Sequence, residues 1–142
     1  MMNILIDSDV ILDFFFDREP YSEDAAAILS LCETRTLNGF ITPVILSNTY
    51  YLLRRTSTHL RVINKLGQLL TIIDVLTMNK RTSLNAVNSK FKDFEDAMQN
   101  FAAENHGDIE AIITRNVKDY RESNLLILTP DNFLKISTSK LS

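Results

Sequence analysis

Short apolar runs alternate along this chain with longer stretches whose apolar residues recur every three or four positions. The runs are Asn3-Ile4-Leu5-Ile6, Phe40-Ile41-Thr42 and residues 72–76, 111–114 and 125–128. Apolar runs with little polar alternation suit strands covered on both faces. Between them the pattern predicts helices. Residues 9–16 lead away from the first run. Residues 25–32 follow Ser22, a candidate cap with Glu23 and Asp24 at the positive helix end, and Asn38-Gly39 ends that region. Pro43 opens a helix over 44–53. Leu60, Ile63, Leu66 and Leu70 place an amphipathic helix over 59–71. Residues 79–90 form another, and Asp93 caps a further one over 94–105 with Gly107 as its terminator. Thr129-Pro130-Asp131 starts a last short helix through Leu134. Strand–helix alternation predicts an α/β fold, a central parallel β-sheet of about five short strands flanked by helices, in one domain over residues 1–142. Ligands of such sheets sit beyond the carboxyl ends of the strands, so the residues just after each run carry the candidate chemistry.

Composition narrows that chemistry. The 142 residues contain three glycines, Gly39, Gly67 and Gly107, never clustered, which excludes the usual Gly-rich phosphate loops and the serine-hydrolase elbow. The lone Cys32 excludes an internal disulfide and multi-Cys zinc sites, and His59 and His106 stand too far apart to suggest a His-rich metal site. No apolar run approaches membrane length, and the first residues reach Asp7 without a basic leader, so the expected location is cytoplasmic. Net charge is −3, but it is segregated. Residues 1–24 carry seven acids and Arg18 as the only base; residues 54–92 carry eight bases and Asp74 as the only acid; residues 93–142 return to acid.

Carboxylates gathered at strand ends, without histidine or cysteine, have one strong use: holding a hard divalent cation, Mg²⁺ or Mn²⁺, that activates water and neutralises phosphate charge. Asp7 ends the first run, where it serves either such a site or a helix cap. Asp9 offers the same two roles. Asp93 and Asp96 lie three apart at a helix start; Asp93 suits a cap, while Asp96 sits in the first turn. Asp119 follows the fourth run by five positions and, taken alone, is a surface acid. Asn48 lies on an otherwise apolar helix.

The opening ILIDSDVILD resembles the start of PIN-domain ribonucleases. DFEDAMQNFAAENHGDIEAIITRNVKDY is similar to that family's second half, ITPVILSNTYYLL to its middle helix and LTPDNFL to its closing strand and helix. The likeness covers nearly the whole chain in order and is closest to the VapC-like toxin branch, small nucleases paired with an antitoxin. It implies an endoribonuclease that uses Mg²⁺ or Mn²⁺ and leaves 5′-phosphate and 3′-hydroxyl ends. Asp7, Asp96 and Asp119 match the family's metal-binding acids, and Thr114 matches the hydroxyl that supports them. Asn116 and Asn48 depart from the pattern, standing where many members have Asp and most have Glu. An amide oxygen still binds a cation or its waters but brings no charge, so weaker metal affinity is implied, with Asp9, Asp93 or Glu95 as substitutes.

The partners implied are RNA, an antitoxin and a second copy of the chain in a homodimer. Arg54, Arg55, Arg61 and Lys65 are candidates for RNA phosphate or an acidic antitoxin tail, against the reading that they form a solvated helix face. Tyr50, Tyr51 and Phe91 offer rings for base stacking or for packing. Phe14, Phe15 and Phe16 suit a core or an antitoxin groove. Two rival readings are a PIN-like binding module that has lost catalysis and a haloacid-dehalogenase-type phosphotransferase built on Asp7-Ser8-Asp9. The second lacks the Gly-Asp-x-x-x-Asp pair that such enzymes place after a late strand.

Overall fold

The computed structural model describes residues 2–141, with side chains through Ser137. In chain order the elements are β1 (Met2–Ile6), α1 (Ser8–Phe15), α2 (Ser22–Glu33), β2 (Leu37–Ile41), α3 (Pro43–Leu53), α4 (His59–Leu69), β3 (Asp74–Val75), α5 (Lys80–Val87), α6 (Phe94–His106), β4 (Ala111–Ile113), a 3₁₀ turn (Val117–Tyr120), β5 (Leu126–Leu128) and α7 (Pro130–Leu141). The five strands form one parallel sheet in the order β3-β2-β1-β4-β5, as the all-apolar runs predict. Ile4, Leu5 and Ile6 of the central strand and Ile112 and Ile113 of β4 are wholly buried. From β1 the chain turns towards β2 and later returns to β4 on the other side. The crevice between the carboxyl ends of β1 and β4 is therefore the topological switch point, where ligands of open parallel sheets bind.

Several boundaries differ from the sequence pattern for local physical reasons. Asn38-Gly39 does not end a helix; it lies inside β2, which begins at Leu37. α2 stops at Glu33, where Arg35 takes the left-handed conformation (φ 63°) that a glycine would usually supply. Gly39 is needed for space: a Cβ there would lie 2.5 Å from Cys32 Sγ. Ser22 is not a cap. The helix starts at Ser22 itself, whose backbone N–H donates to Arg18 O at 2.7 Å in the preceding turn. The expected strand over 72–76 shrinks to Asp74–Val75, because Ile72 and Ile73 still donate backbone hydrogen bonds to Leu69 O and finish the α4 turn. α7 runs past Leu134 to Leu141. Asn79 caps α5 with Thr82 in a reciprocal capping box, and Asp93 caps α6 by accepting from Asp96 N at 2.9 Å.

Gly39→Ala is expected to destabilise the protein by about 1–3 kcal/mol through overpacking. In denaturant melts, adding Cys32→Ala should recover part of that loss, since it removes the sulfur that the new methyl meets.

Candidate active site

Asp7 is the first residue past β1 and caps α1, accepting from Ser8 N through Oδ1 at 2.8 Å. Its other oxygen, Oδ2, accepts from Thr114 Oγ1 at 2.9 Å and from the Tyr120 hydroxyl at 3.2 Å. Both donors come from the segment after β4, which the Ile6–Ile113 register sets beside Asp7. Asp7 is only 6% exposed. Burial raises its pKa, the hydrogen bonds from Ser8, Thr114 and Tyr120 pull it back, and the Asp119 charge adds to the rise.

Asp9, two residues along, pins the same segment. Its Oδ2 accepts from Arg115 N at 2.9 Å and, at longer range, from Asn116 Nδ2 at 3.3 Å. Its Oδ1 is buried with no hydrogen-bond partner. Burial, then the charge of Asp7, pushes its pKa up to about 6. Asp96 of α6 is half-buried; desolvation, followed by the charges of Asp7, Asp93 and Asp119, pushes its pKa up to about 7. Tyr120 is 1% exposed, and burial, then the Asp7 and Asp96 charges, pushes its pKa up, so the phenol keeps its proton as a donor. Asp119 lies exposed in the 3₁₀ turn, close enough for its charge to raise both Asp7 and Asp96.

The structure thus brings Asp7, Asp9, Asp96, Thr114, Asn116 and Asp119 to one edge of the sheet, the edge the strand-end rule predicts. Asp93 is engaged as the α6 cap. Asn48 of α3 faces α6, its Nδ2 donating to Glu95 Oε2 at 3.0 Å. The four basic residues read from the sequence lie elsewhere. Arg54 donates to Ser57 O at 2.9 Å beyond α3, Arg55 follows it, Arg61 is in α4, and Lys65 lines a groove of about 320 Å³ with Phe14, Phe15 and Leu69. Tyr50 is hydrogen-bonded to His59 Nδ1 at 2.8 Å and Tyr51 is exposed.

The donor set is wholly oxygen, which suits a hard cation such as Mg²⁺ or Mn²⁺. The orphaned Asp9 oxygen and the raised pKa of Asp96 are what a site deficient in positive charge shows. The three-acid grouping expected from the sequence is nevertheless not closed: among the described residues, no three His, Cys, Asp or Glu side chains stand at metal-holding spacing. The Tyr120 phenol lies among these carboxylates: it donates to Asp7 at 3.2 Å and offsets part of the rise in the Asp96 pKa.

Sequence patterns alone miss three residues of the site. Tyr120 is one. Asp13 and Arg115 form a bidentate pair, Nε to Oδ2 at 2.6 Å and Nη2 to Oδ1 at 3.1 Å. Asp13 is 1% exposed, Arg18 lies 3.6 Å from its other side, and the Arg115 guanidinium stacks 4.0 Å over the Tyr21 ring. This clamp fixes the residue between Thr114 and Asn116. Its signal is visible in ILDFFF: an acid inside an apolar run is buried, and a buried carboxylate needs a partner.

Residues 3–118 match the protein-family model described as PIN domain. No curated protein matches the sequence. Three solved structures with similar folds set the context. A toxin–antitoxin complex from Klebsiella pneumoniae matches at 19% identity over 89% of this chain and 97% of that one, with a TM-score of 0.67. VapBC-1 from nontypeable Haemophilus influenzae matches at 14% identity over 92% and 99%, with a TM-score of 0.65. VapC20 from Mycobacterium tuberculosis, described as a toxin that cleaves the sarcin-ricin loop, matches at 17% identity over 77% and 86%, with a TM-score of 0.58.

Arg115→Ala is expected to cost about 2–4 kcal/mol in chemical denaturation, the loss of one partner from a buried pair, moderated because Arg18 stays. A second expectation concerns pH. Folding raises the Asp96 pKa from the ordinary 3.8 to about 7, so the folded state binds the proton more tightly. That contribution is fully present below the ordinary value and is lost as pH rises through about 7. In chelator, the thermal midpoint of the unsubstituted protein should therefore fall relative to that of Asp96→Asn as pH rises from about 4 to about 7; a constant difference would refute it.

Proposed function

The chain belongs to the PIN-domain family, and we propose that it is a Mg²⁺- or Mn²⁺-dependent endoribonuclease, the toxin of a toxin–antitoxin pair. The observation that carries this reading is the buried Asp7 carboxylate at the switch point, with Asp96 and Asp119 close enough for the three charges to couple. Asp7, Asp96 and Asp119 would hold the cation, with the Asn116 amide oxygen beside them. Bound there, Mg²⁺ or Mn²⁺ supplies a water of lowered pKa and neutralises charge developing on the phosphate. The chain's own residues do the rest. Thr114 and Tyr120 hold Asp7 in one orientation, and Asp9 holds the backbone of the Thr114–Asn116 segment.

The structures described as toxin–antitoxin complexes support an antitoxin partner, and the apolar groove holding Phe14 and Phe15 is a surface for it. Homodimer formation is proposed from the family resemblance alone, and residues 1–142 are read as one nuclease domain. Arg54, Arg55, Arg61 and Lys65 would meet phosphates away from the reacting one. Among the described residues, no helix is long and apolar enough to cross a membrane, consistent with the proposed cytoplasmic location. A second reading, a binding module without catalysis, has one observation in its favour: the amides of Asn48 and Asn116 donate to Glu95 and Asp9, adding no negative charge to the site.

RNA cleavage by the purified protein in millimolar Mn²⁺ separates the two. Cleavage should appear, and Asp7→Asn or Asp96→Asn should lower it on the order of a hundredfold or more. No cleavage together with no metal binding in calorimetry would establish the binding module.

A further inference from the structure

Beside the acids, and apart from the basic residues after α3, the structure has a small cleft of about 70 Å³ lined by Lys90, Lys92, Lys118 and Arg121. None of the four cations is spent in an ion pair: among the described residues, the only ion pairs join Asp13 to Arg18 and Arg115. All four are exposed. Two local structures present them. The 3₁₀ turn sets Lys118 and Arg121 on either side of Asp119 and Tyr120, with Arg121 Nε donating to Lys118 O at 3.3 Å. The link between α5 and α6 carries Lys90 and Lys92 and is ordered by Phe91 N donating to Ser89 Oγ at 3.3 Å. Phe91 forms part of the lining, and its ring meets the Tyr120 ring edge-on, with centroids 6.2 Å apart. Tyr120 in turn touches Asp7. One packed chain of side chains therefore joins the cleft to the centre of the candidate site.

We propose that this cleft, built from Lys90, Lys92, Lys118 and Arg121, seats a backbone phosphate of single-stranded RNA next to the bond placed at Asp7, Asp96 and Asp119. The assignment rests on the nuclease reading above and adds to it the residues that fix the strand. The cleft has room for a phosphate group. Unpaired lysine and arginine donors are the groups that bind phosphate oxygens. Asp93, Asp119 and Glu122 also line the cleft. They repel any anion, phosphate included, and the four cations offset them; the ribose hydroxyls beside a backbone phosphate are donors that these carboxylates accept from.

The test measures binding of a short labelled single-stranded RNA by anisotropy in chelator across a KCl series. Lys118→Ala with Arg121→Ala should weaken binding several-fold and flatten the slope of log affinity against log salt by about 0.7 for each phosphate the protein no longer neutralises. Lys90→Ala with Lys92→Ala should act the same way, Arg121→Lys should keep the slope, and Lys135→Ala on α7 should change nothing. Unchanged slopes in both double variants, or tighter binding of an acidic peptide than of RNA, would overturn the proposal; so would absence of RNA binding by the unsubstituted chain. RNA binding through the cleft without cleavage in Mn²⁺ would refute the nuclease reading alone. Cleavage with an unchanged KM in Lys118→Ala/Arg121→Ala would refute the cleft alone.

Discussion

A carboxylate is buried where two parallel strands end, and most of the site follows from how that burial is satisfied. Asp7 must accept hydrogen bonds, because a desolvated carboxylate without them is costly. Its three donors come from α1, from the residue after β4 and from the 3₁₀ turn. Meeting that need ties two non-consecutive stretches of chain, some 107 positions apart, to one side chain. The same bonds fix both Asp7 oxygens at the sheet edge. Polar satisfaction and site geometry are here one constraint.

The Asp13–Arg115 pair acts one turn further down α1. A charge pair so deeply placed contributes little net stability compared with well-packed apolar groups. Its effect is positional. The guanidinium is held by two hydrogen bonds and by the Tyr21 ring, so the backbone that precedes Asn116 has one position relative to α1. Asp9 makes the same connection through the Arg115 N–H. Three acids on one short helix, Asp7 at its cap and Asp9 and Asp13 within it, therefore each fix a different part of the segment after β4.

The sheet and most helices were legible because short all-apolar runs and three-to-four periodicity are local signals. The strand-end rule and a motif in order pointed to Asp7, Asp96 and Asp119, and the structure brings these three near one another at one sheet edge. What escaped depended on the packing of distant residues. Gly39 reads as punctuation in sequence, yet its role is to admit the Cys32 sulfur from α2. Ile72 and Ile73 have the composition of a strand, but the end of α4 claims their N–H groups. Tyr120 stands next to an expected acid, and nothing local says that its hydroxyl turns inward to Asp7. The basic block divides in space in a way its continuity along the chain does not reveal. Its largest concentration lies just after α3 and along α4, whereas its last two members, Lys90 and Lys92, join Lys118 and Arg121 from the acidic third of the chain.

The two amides fit the same electrostatic logic. Burial, and after it the repulsion of neighbouring carboxylates, raises the pKa values of Asp9 and Asp96. Asn116 donates to Asp9 and Asn48 to Glu95, so each places an N–H where a further acid would have added repulsion. Tyr120 does for Asp7 what they do for their neighbours. The cluster is thereby assembled by hydrogen bonds before any cation arrives. The consequence is directional: a donor that holds one of these carboxylate oxygens would compete with any cation for that oxygen. A site built this way would bind an ion more weakly than one of bare carboxylates, while the hydrogen bonds give it a defined shape without one.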